Sequence, residues 1–332
     1  MLRKVMSFLA ATAMILGVSQ SAHADPTTLK VGTLAPGESP WGQVFKVWKT
    51  GVEQRSGGSL QLQFFWNGQQ GDEAAMVGKM RSGQLDGAAI TAIGLGQIYK
   101  QVLVLQMPGL FREWAKLDNA RNAMKAGFDA EFEKQGFKVL GWGDVGRAHV
   151  MSKGFAVKTP ADLKHKNTYY LAGDPVGPVM YSVIGDVTPK QVSVPEILPG
   201  LTNGTINVCI APSLAAEQLQ WASRLDNINT AVGGVAIGAL VFSSAKLKSL
   251  PADAQTILIE TGKVTGEALT TRIRREDDAA YGRLTAPNRM TKYDPTPADT
   301  AEWNKLFADT RAKLRGSVFQ AQMFDDAVKY SL

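Results

Sequence analysis

The chain runs to 332 residues with a formal charge of +6 and a single cysteine, Cys209. That length holds two domains with cores of ordinary size, and one cysteine excludes both a disulfide framework and a paired-cysteine metal centre. The basic excess is scattered, with no run of basic residues longer than a pair such as Arg274-Arg275, so it points to no acidic partner, and three histidines at unrelated positions make no metal site.

Residues 1–24 read as a signal peptide. Arg3 and Lys4 form a basic start, Met6 to Val18 is an apolar run, and Ala22-His23-Ala24 is a small-x-small cleavage site. The run is too short to span a bilayer, so the mature chain is expected to begin at Asp25 as an exported, soluble, periplasmic protein with no nucleic acid to meet. Residues 29–35 (LKVGTLA) then predict a strand, and Trp41, Val44, Phe45, Trp48 and Val52 recur at the helical period up to Arg55. Residues 60–66 alternate Leu and Gln as a half-exposed strand does, Asp72 opens a helix through Met80, and 86–91 is a short buried strand. A helix over 116–135 leads to a strand at 137–143, and two further strands follow at 149–153 and 167–172 around the Pro-Ala-Asp-Leu turn of 160–163. Asp174-Pro175 is a helix-start signal, with Asp as cap and Pro at the first helical position. Residues 187–195 lead into another short helix. A strand at 206–212, a helix at 213–221 and a strand at 238–244 precede one helical pattern from Pro251 to Arg283. That pattern of about thirty residues is far longer than the usual three or four turns and long enough to bridge two small domains.

Repeated strand-helix units imply an α/β architecture with largely parallel sheets and ligands at the carboxyl ends of strands. Two such domains, a bridging helix and no disulfide suggest, by analogy of fold, a binding protein that closes on a solute by hinge motion. Trp41, Trp66, Trp142, Tyr169, Tyr170 and Trp221 stand at strand ends and helix starts, where aromatic rings suit a mostly apolar pocket, core packing being the alternative for each. Tyr169 and Tyr170 are neighbours on a strand, so they face opposite ways. Gln69 in the NGQQGD loop and Thr91 beside Gly94 and Gly96 are polar candidates, whereas Asn67-Gly68 reads as a turn and Asp174 as a cap. The GLG at 94–96 is too weak a signal for phosphate, and nothing calls for a cofactor.

Several segments in order resemble the periplasmic solute receptors of TRAP transporters, the DctP type. They are VGTLAPGESPWG, WNGQQGDEAAMVGKMRSGQLDGAA, VLQMPGLFREW and VGRAHVMSKGFAVKTPADLKHK, and the likeness covers most of residues 29–285. It implies a two-lobed periplasmic solute-binding protein fold, with domain I at 25–144 and 233–278 and domain II at 145–232 and 279–332. The function it implies is a non-enzymatic receptor that hands its solute to a membrane permease. Typical members hold the ligand carboxylate with an arginine in the strand after Asp-Leu-Lys. Counting from Asp162-Leu163-Lys164, that place falls at Tyr169. The polar Asp-Gly-Gln-Glu-Asn-Pro run of those receptors is replaced here by the apolar run ending in Ala211-Pro212. Both departures, with the GDP after an aromatic strand, are similar to a subgroup that works with a tetratricopeptide-repeat protein and takes apolar, lipid-like ligands. Arg147 aligns with the arginine of the family's Gly-Phe-Arg motif, so a receptor for a small organic acid held by Arg147 is the alternative. A hydrolase using Cys209 with His149 or His165 is a further one.

Overall fold

The computed structural model describes residues 25–331, so the expected signal peptide and its cleavage site lie outside the described residues. In chain order the elements are β1 (Thr27–Thr33), α1 (Pro40–Arg55), β2 (Leu60–Phe65), α2 (Glu73–Arg81), β3 (Gly87–Thr91), α3 (Ala92–Ile98), α4 (Trp114–Lys134) and β4 (Phe137–Ser152). There follow β5 (Tyr169–Leu171), α5 (Val176–Ile184), β6 (Lys190–Val192), α6 (Val194–Asn203), β7 (Val208–Pro212), α7 (Ser213–Gln218), β8 (Asn227–Asn229) and β9 (Gly234–Ser243). The last are α8 (Ser244–Lys248), α9 (Ala252–Leu284), β10 (Thr291–Tyr293), α10 (Pro297–Leu314) and α11 (Ala321–Tyr330).

An eight-stranded sheet in the order β10-β8-β4-β9-β3-β1-β2, with β7 also on β4, serves both lobes of an α/β fold. In the first lobe β1 pairs in parallel with β2 and β3, joined by the crossover helices α1 and α2. Alternation along β9 then divides the core. Ile237, Ala239 and Val241 face one cluster with Phe128 and Phe132, while Leu240 and Phe242 face another with Trp48 and Leu258. The second lobe repeats the device. Cys209 and Met151 pack with Trp221 on one side, and Val208 and Val150 with Trp303 and Phe307 on the other.

β4 differs from the expectation of two separate strands. It is one strand of 16 residues, paired with β9 from Phe137 to Ala148 and with β7 from Ala148 to Ser152. Gly141, Gly143, Asp144 and Gly146 interrupt its apolar period, which is why the sequence pattern lapses. The ladder continues because β9, itself starting at Gly234 rather than at 238, supplies backbone partners throughout. The register shifts twice, between Val139 and Gly141 and between Asp144 and Gly146.

α9 is the expected long helix, at 33 residues about 50 Å end to end. Its buried positions recur every three or four residues from Ala254 to Leu284, the stripe of a helix lying on a sheet. Contact with β4 is backbone to backbone: a Cβ at Gly266 would stand 2.6 Å from the Trp142 carbonyl oxygen. The two C-terminal helices, which the periodic reading does not place, supply α10 to the second lobe and α11 to the first. Among the described residues no helix is long and apolar enough to cross a membrane.

Candidate ligand-binding site

A cavity of about 360 Å³ lies between the lobes. Its wall takes Leu34, Trp41, Phe45 and Ile90 from the first lobe, Asp144, Ala148 and Val235 from the crossing strands, and Tyr169, Ile210, Trp221 and Phe307 from the second. Trp41 arrives there because Ser39 caps α1, its hydroxyl accepting from the Gly42 N–H at 3.2 Å, and Pro40 follows at the first position. The Trp41 indole N–H points at the Asp144 carbonyl oxygen, 3.5 Å away.

Of the residues expected from sequence, Trp41, Thr91, Tyr169, Tyr170, Asp174, Ala211 and Trp221 reach the wall. Trp66, Gln69 and Arg147 do not. Trp66 stacks on Phe64 at 4.8 Å and on Phe45 at 6.3 Å, so it stands one ring behind the wall. Gln69 sits exposed in the turn that Trp66 starts, its N–H donating to the Trp66 carbonyl. The Arg147 guanidinium turns away, over the Trp114 ring at 5.4 Å and 3.4 Å from Asp278. Trp142, the sixth aromatic, packs against Phe128 and Phe132 in the core.

The two tyrosines of β5 divide as the strand geometry requires, Tyr169 packing with the Cys209 cluster and Tyr170 with the Val150 cluster. The Tyr169 hydroxyl meets Cys209 Sγ at 3.4 Å, and its carbonyl accepts from the Tyr181 hydroxyl at 3.0 Å. Tyr170 donates to Gln191 at 3.1 Å. Asp174 caps α5 one residue ahead of the expected position. Its carboxylate accepts from the Val176 and Gly177 N–H groups, and burial pushes its pKa up.

Sequence reading did not place Glu73, Asp144, Gln106, Met180, Trp303 or Phe307 on the wall. Glu73 is buried at the start of α2, where it accepts from the Thr91 N–H (2.6 Å), the Thr91 hydroxyl (2.7 Å) and the Gly94 N–H (2.8 Å). Burial still pushes its carboxyl above the usual range. Asp144 was readable as the one charge in the GWGDVG stretch. Trp303 and Phe307 were readable as an i, i+4 aromatic pair.

Among the described residues no lysine, arginine or histidine stands on the wall, while three carboxylates do. Each of the three is already engaged: Glu73 and Asp174 by the donors named, Asp144 by Arg121 and Arg274, both at 2.6 Å. The cavity therefore offers a solute aromatic and aliphatic surface, with no cation to receive an acid group.

The hydrolase alternative finds no geometry. Cys209 faces the Tyr169 hydroxyl and burial pushes its thiol up to about 12, the opposite of an activated thiolate. His149 stacks on Tyr281 at 4.8 Å with Nδ1 at 3.3 Å from the Asn229 carbonyl oxygen.

Just past the second register shift of β4, Asp277 of α9 accepts from the Arg147 N–H at 2.8 Å and the Leu214 N–H at 2.9 Å. Burial raises its carboxyl from 3.8 to about 6 in spite of these bonds. The native state thus holds this proton more tightly than the unfolded chain does. Its contribution is full below about 4 and is lost as pH rises through about 6, a swing of about 3 kcal/mol. We expect urea unfolding across pH 4 to 7 to show that loss in the wild type. Asp277→Asn, which cannot titrate there, should lack it, and equal slopes for the two proteins would remove Asp277 as the cause.

Comparison with known proteins agrees with this architecture. Residues 31–315 match the family DctP, described as bacterial extracellular solute-binding protein, family 7. A solute-binding protein of Verminephrobacter eiseniae is 25% identical over 81% of this chain and 79% of its own. The 2,3-diketo-L-gulonate-binding periplasmic protein of Escherichia coli is 24% identical over 65% of each chain. A TRAP periplasmic solute-binding protein from Shewanella oneidensis with bound succinate superposes with a TM-score of 0.86 at 18% identity, over 92% of this chain and all of that one (100%). The sugar acid binding protein of Advenella mimigardefordensis, in complex with galactonate, gives 0.85 at 13% identity over 92% and 98% of the two chains. With the family matched over most of its length and the cleft lying where two lobes meet, the chain belongs to the DctP family of bacterial extracellular solute-binding proteins.

Proposed function

We propose that this protein is the periplasmic receptor of a TRAP-type transporter, that it closes on a largely apolar solute, and that it delivers the solute to a membrane permease. The observation that carries the ligand class is the wall without a basic side chain. An acid group brought into the cavity would lose its water and find no guanidinium, at a cost of several kcal/mol. The place where resemblance puts a carboxylate-binding arginine is Tyr169, whose hydroxyl is turned to Cys209. Trp41, Tyr169, Tyr170, Ala211 and Trp221 are the residues we assign to solute contact, with Thr91 and Asp174 shaping the wall behind them.

The domain division follows the same reading. Domain I comprises 25–144 and 233–278, and domain II 145–232 and 279–332, except that α11 at the end of that last segment packs on the first lobe. The register shift after Asp144 and the start of β9 at Gly234 support hinges at those points. A tetratricopeptide-repeat partner rests on the resemblance of the GDP and Ala-Pro segments alone.

Thermal shift on ligand-stripped protein tests the ligand class. A solute at about a hundred times its Kd adds about 2.7 kcal/mol, enough to raise Tm by roughly 5 °C in a chain of this size. Fatty or isoprenoid compounds are expected to give that rise, and succinate and galactonate to leave Tm unchanged. The reverse pattern, abolished by Arg147→Ala, would establish the small-acid reading instead.

A further inference from the structure

Residues 107–112 run beside the cavity, with Pro108 on its wall, and α10 comes from the other lobe with Phe307 on the same wall. The two meet closely. A Cβ on Gly109 would stand 2.4 Å from the Phe307 ring, Arg311 Nη1 donates to the Pro108 carbonyl at 2.6 Å, and Arg112 Nη2 donates to Asn304 Oδ1 at 2.6 Å. Asn304, Phe307 and Arg311 fall at i, i+3 and i+7, one stripe of α10 turned to the loop. The Arg112 guanidinium lies 5.5 Å over the Phe307 ring.

Two cations therefore share this seam, and among the described residues neither makes a salt bridge. Each guanidinium has one protein acceptor, and Arg112 Nε is enclosed with none. Burial lowers the pKa of both, and Arg112 lowers that of Arg311 further. The seam thus holds two partly dehydrated positive charges, without a salt bridge, in each other's field. A guanidinium's planar donors match the spacing of oxygens on an oxyanion, and one such ion accepting from the remaining Nη groups of both would cancel the repulsion.

We propose that Arg112 and Arg311 form a binding site for a small oxyanion at this seam, complete only when the lobes are closed. An anion bound there stabilises the closed form by its preference for that form over the open one. The site is separate from the solute cavity: the solute meets no cation, while the rim of the cleft gathers two. It depends on the domain division proposed above and not on what class of solute the cavity takes.

Inorganic phosphate, titrated at constant ionic strength with chloride into ligand-stripped protein, tests this directly. Small-angle scattering reports closure and thermal unfolding reports binding. Phosphate is expected to reduce the radius of gyration and raise Tm in the wild type. Arg112→Gln and Arg311→Gln, each checked for native circular dichroism, are expected to raise the phosphate midpoint at least tenfold. Arg112→Lys keeps the charge without the planar fork and should also weaken the response, which keeps the test informative if a glutamine variant misfolds. A wild type that does not respond, or variants that respond as the wild type does, would overturn the site. Neither result bears on the fatty-compound and succinate arms that test the cavity.

Discussion

Asp144→Asn is expected to lower the unfolding free energy by about 3–5 kcal/mol, read as a fall in the urea midpoint at unchanged slope. The Asp144 side chain has 0% exposure and holds two guanidiniums at once, Arg121 Nη1 on one oxygen and Arg274 Nε on the other, both at 2.6 Å. Arg121 is itself 7% exposed and Arg274 17%, so neither can return to water when the carboxylate is lost. Only Asp118 would remain to them, at 2.8 and 2.6 Å. Asparagine keeps the volume, so the loss measures the uncompensated charge and not a cavity. A change below about 1 kcal/mol, the value of a surface pair, would mean that water reaches the guanidiniums and that this triad is not a buried one. Asp144 also stands on the cavity wall, beside the second register shift of β4. The variant should therefore bind its solute more weakly as well as unfold earlier.

Gly146→Ala is expected to cost about 3 kcal/mol or more, adding a strained backbone conformation to the loss of buried hydrogen bonds. Gly146 has a φ of +142°, and a Cβ placed on it would stand 2.5 Å from the Asp277 carboxylate. That carboxylate ties α9 to β4 through the Arg147 N–H and to α7 through the Leu214 N–H, so pushing it aside unpairs two backbone donors at the lobe junction. Gly234→Ala serves as the control, since a Cβ there meets nothing within 4 Å, and should change stability by less than about 1 kcal/mol. Chemical denaturation of Gly146→Ala, Asp277→Ala and the double variant separates the causes. If the clash dominates, the double variant loses clearly less than the two single losses summed. Full additivity would assign the effect to the backbone of Gly146 alone.

Much of the first lobe could be read from the chain because its signals are local. Trp41, Val44, Phe45, Trp48 and Val52 keep the helical period, Ser39-Pro40 and Asp72 supply the caps, and Leu-Gln alternation marks β2. The 33-residue α9 was readable for the same reason, since an unbroken stripe needs no knowledge of what it packs on. β4 was not, because a glycine-rich strand carries no period of its own and continues only where β9 offers it a ladder. At the cleft the residue types were visible but their directions were not. Arg147 follows the motif that resemblance assigns to a ligand contact, yet its side chain turns to Trp114.

The sequence by itself determined the family, the strands and helices of the first lobe up to α4 together with α9, and the absence of an arginine at Tyr169, since these depend on residue identity and spacing along one chain. Which aromatics line the cavity, and which carboxylates stand on its wall with their partners, were decided only in three dimensions. Asp144 meets Arg274 across 130 residues, and Pro108 meets Arg311 across 203. A period of two or 3.6 residues tells which face of an element is buried, but not which distant element buries it. Those pairings arise where distant elements pack against one another, and they leave on the cavity wall aromatic and aliphatic side chains beside three carboxylates that already have partners.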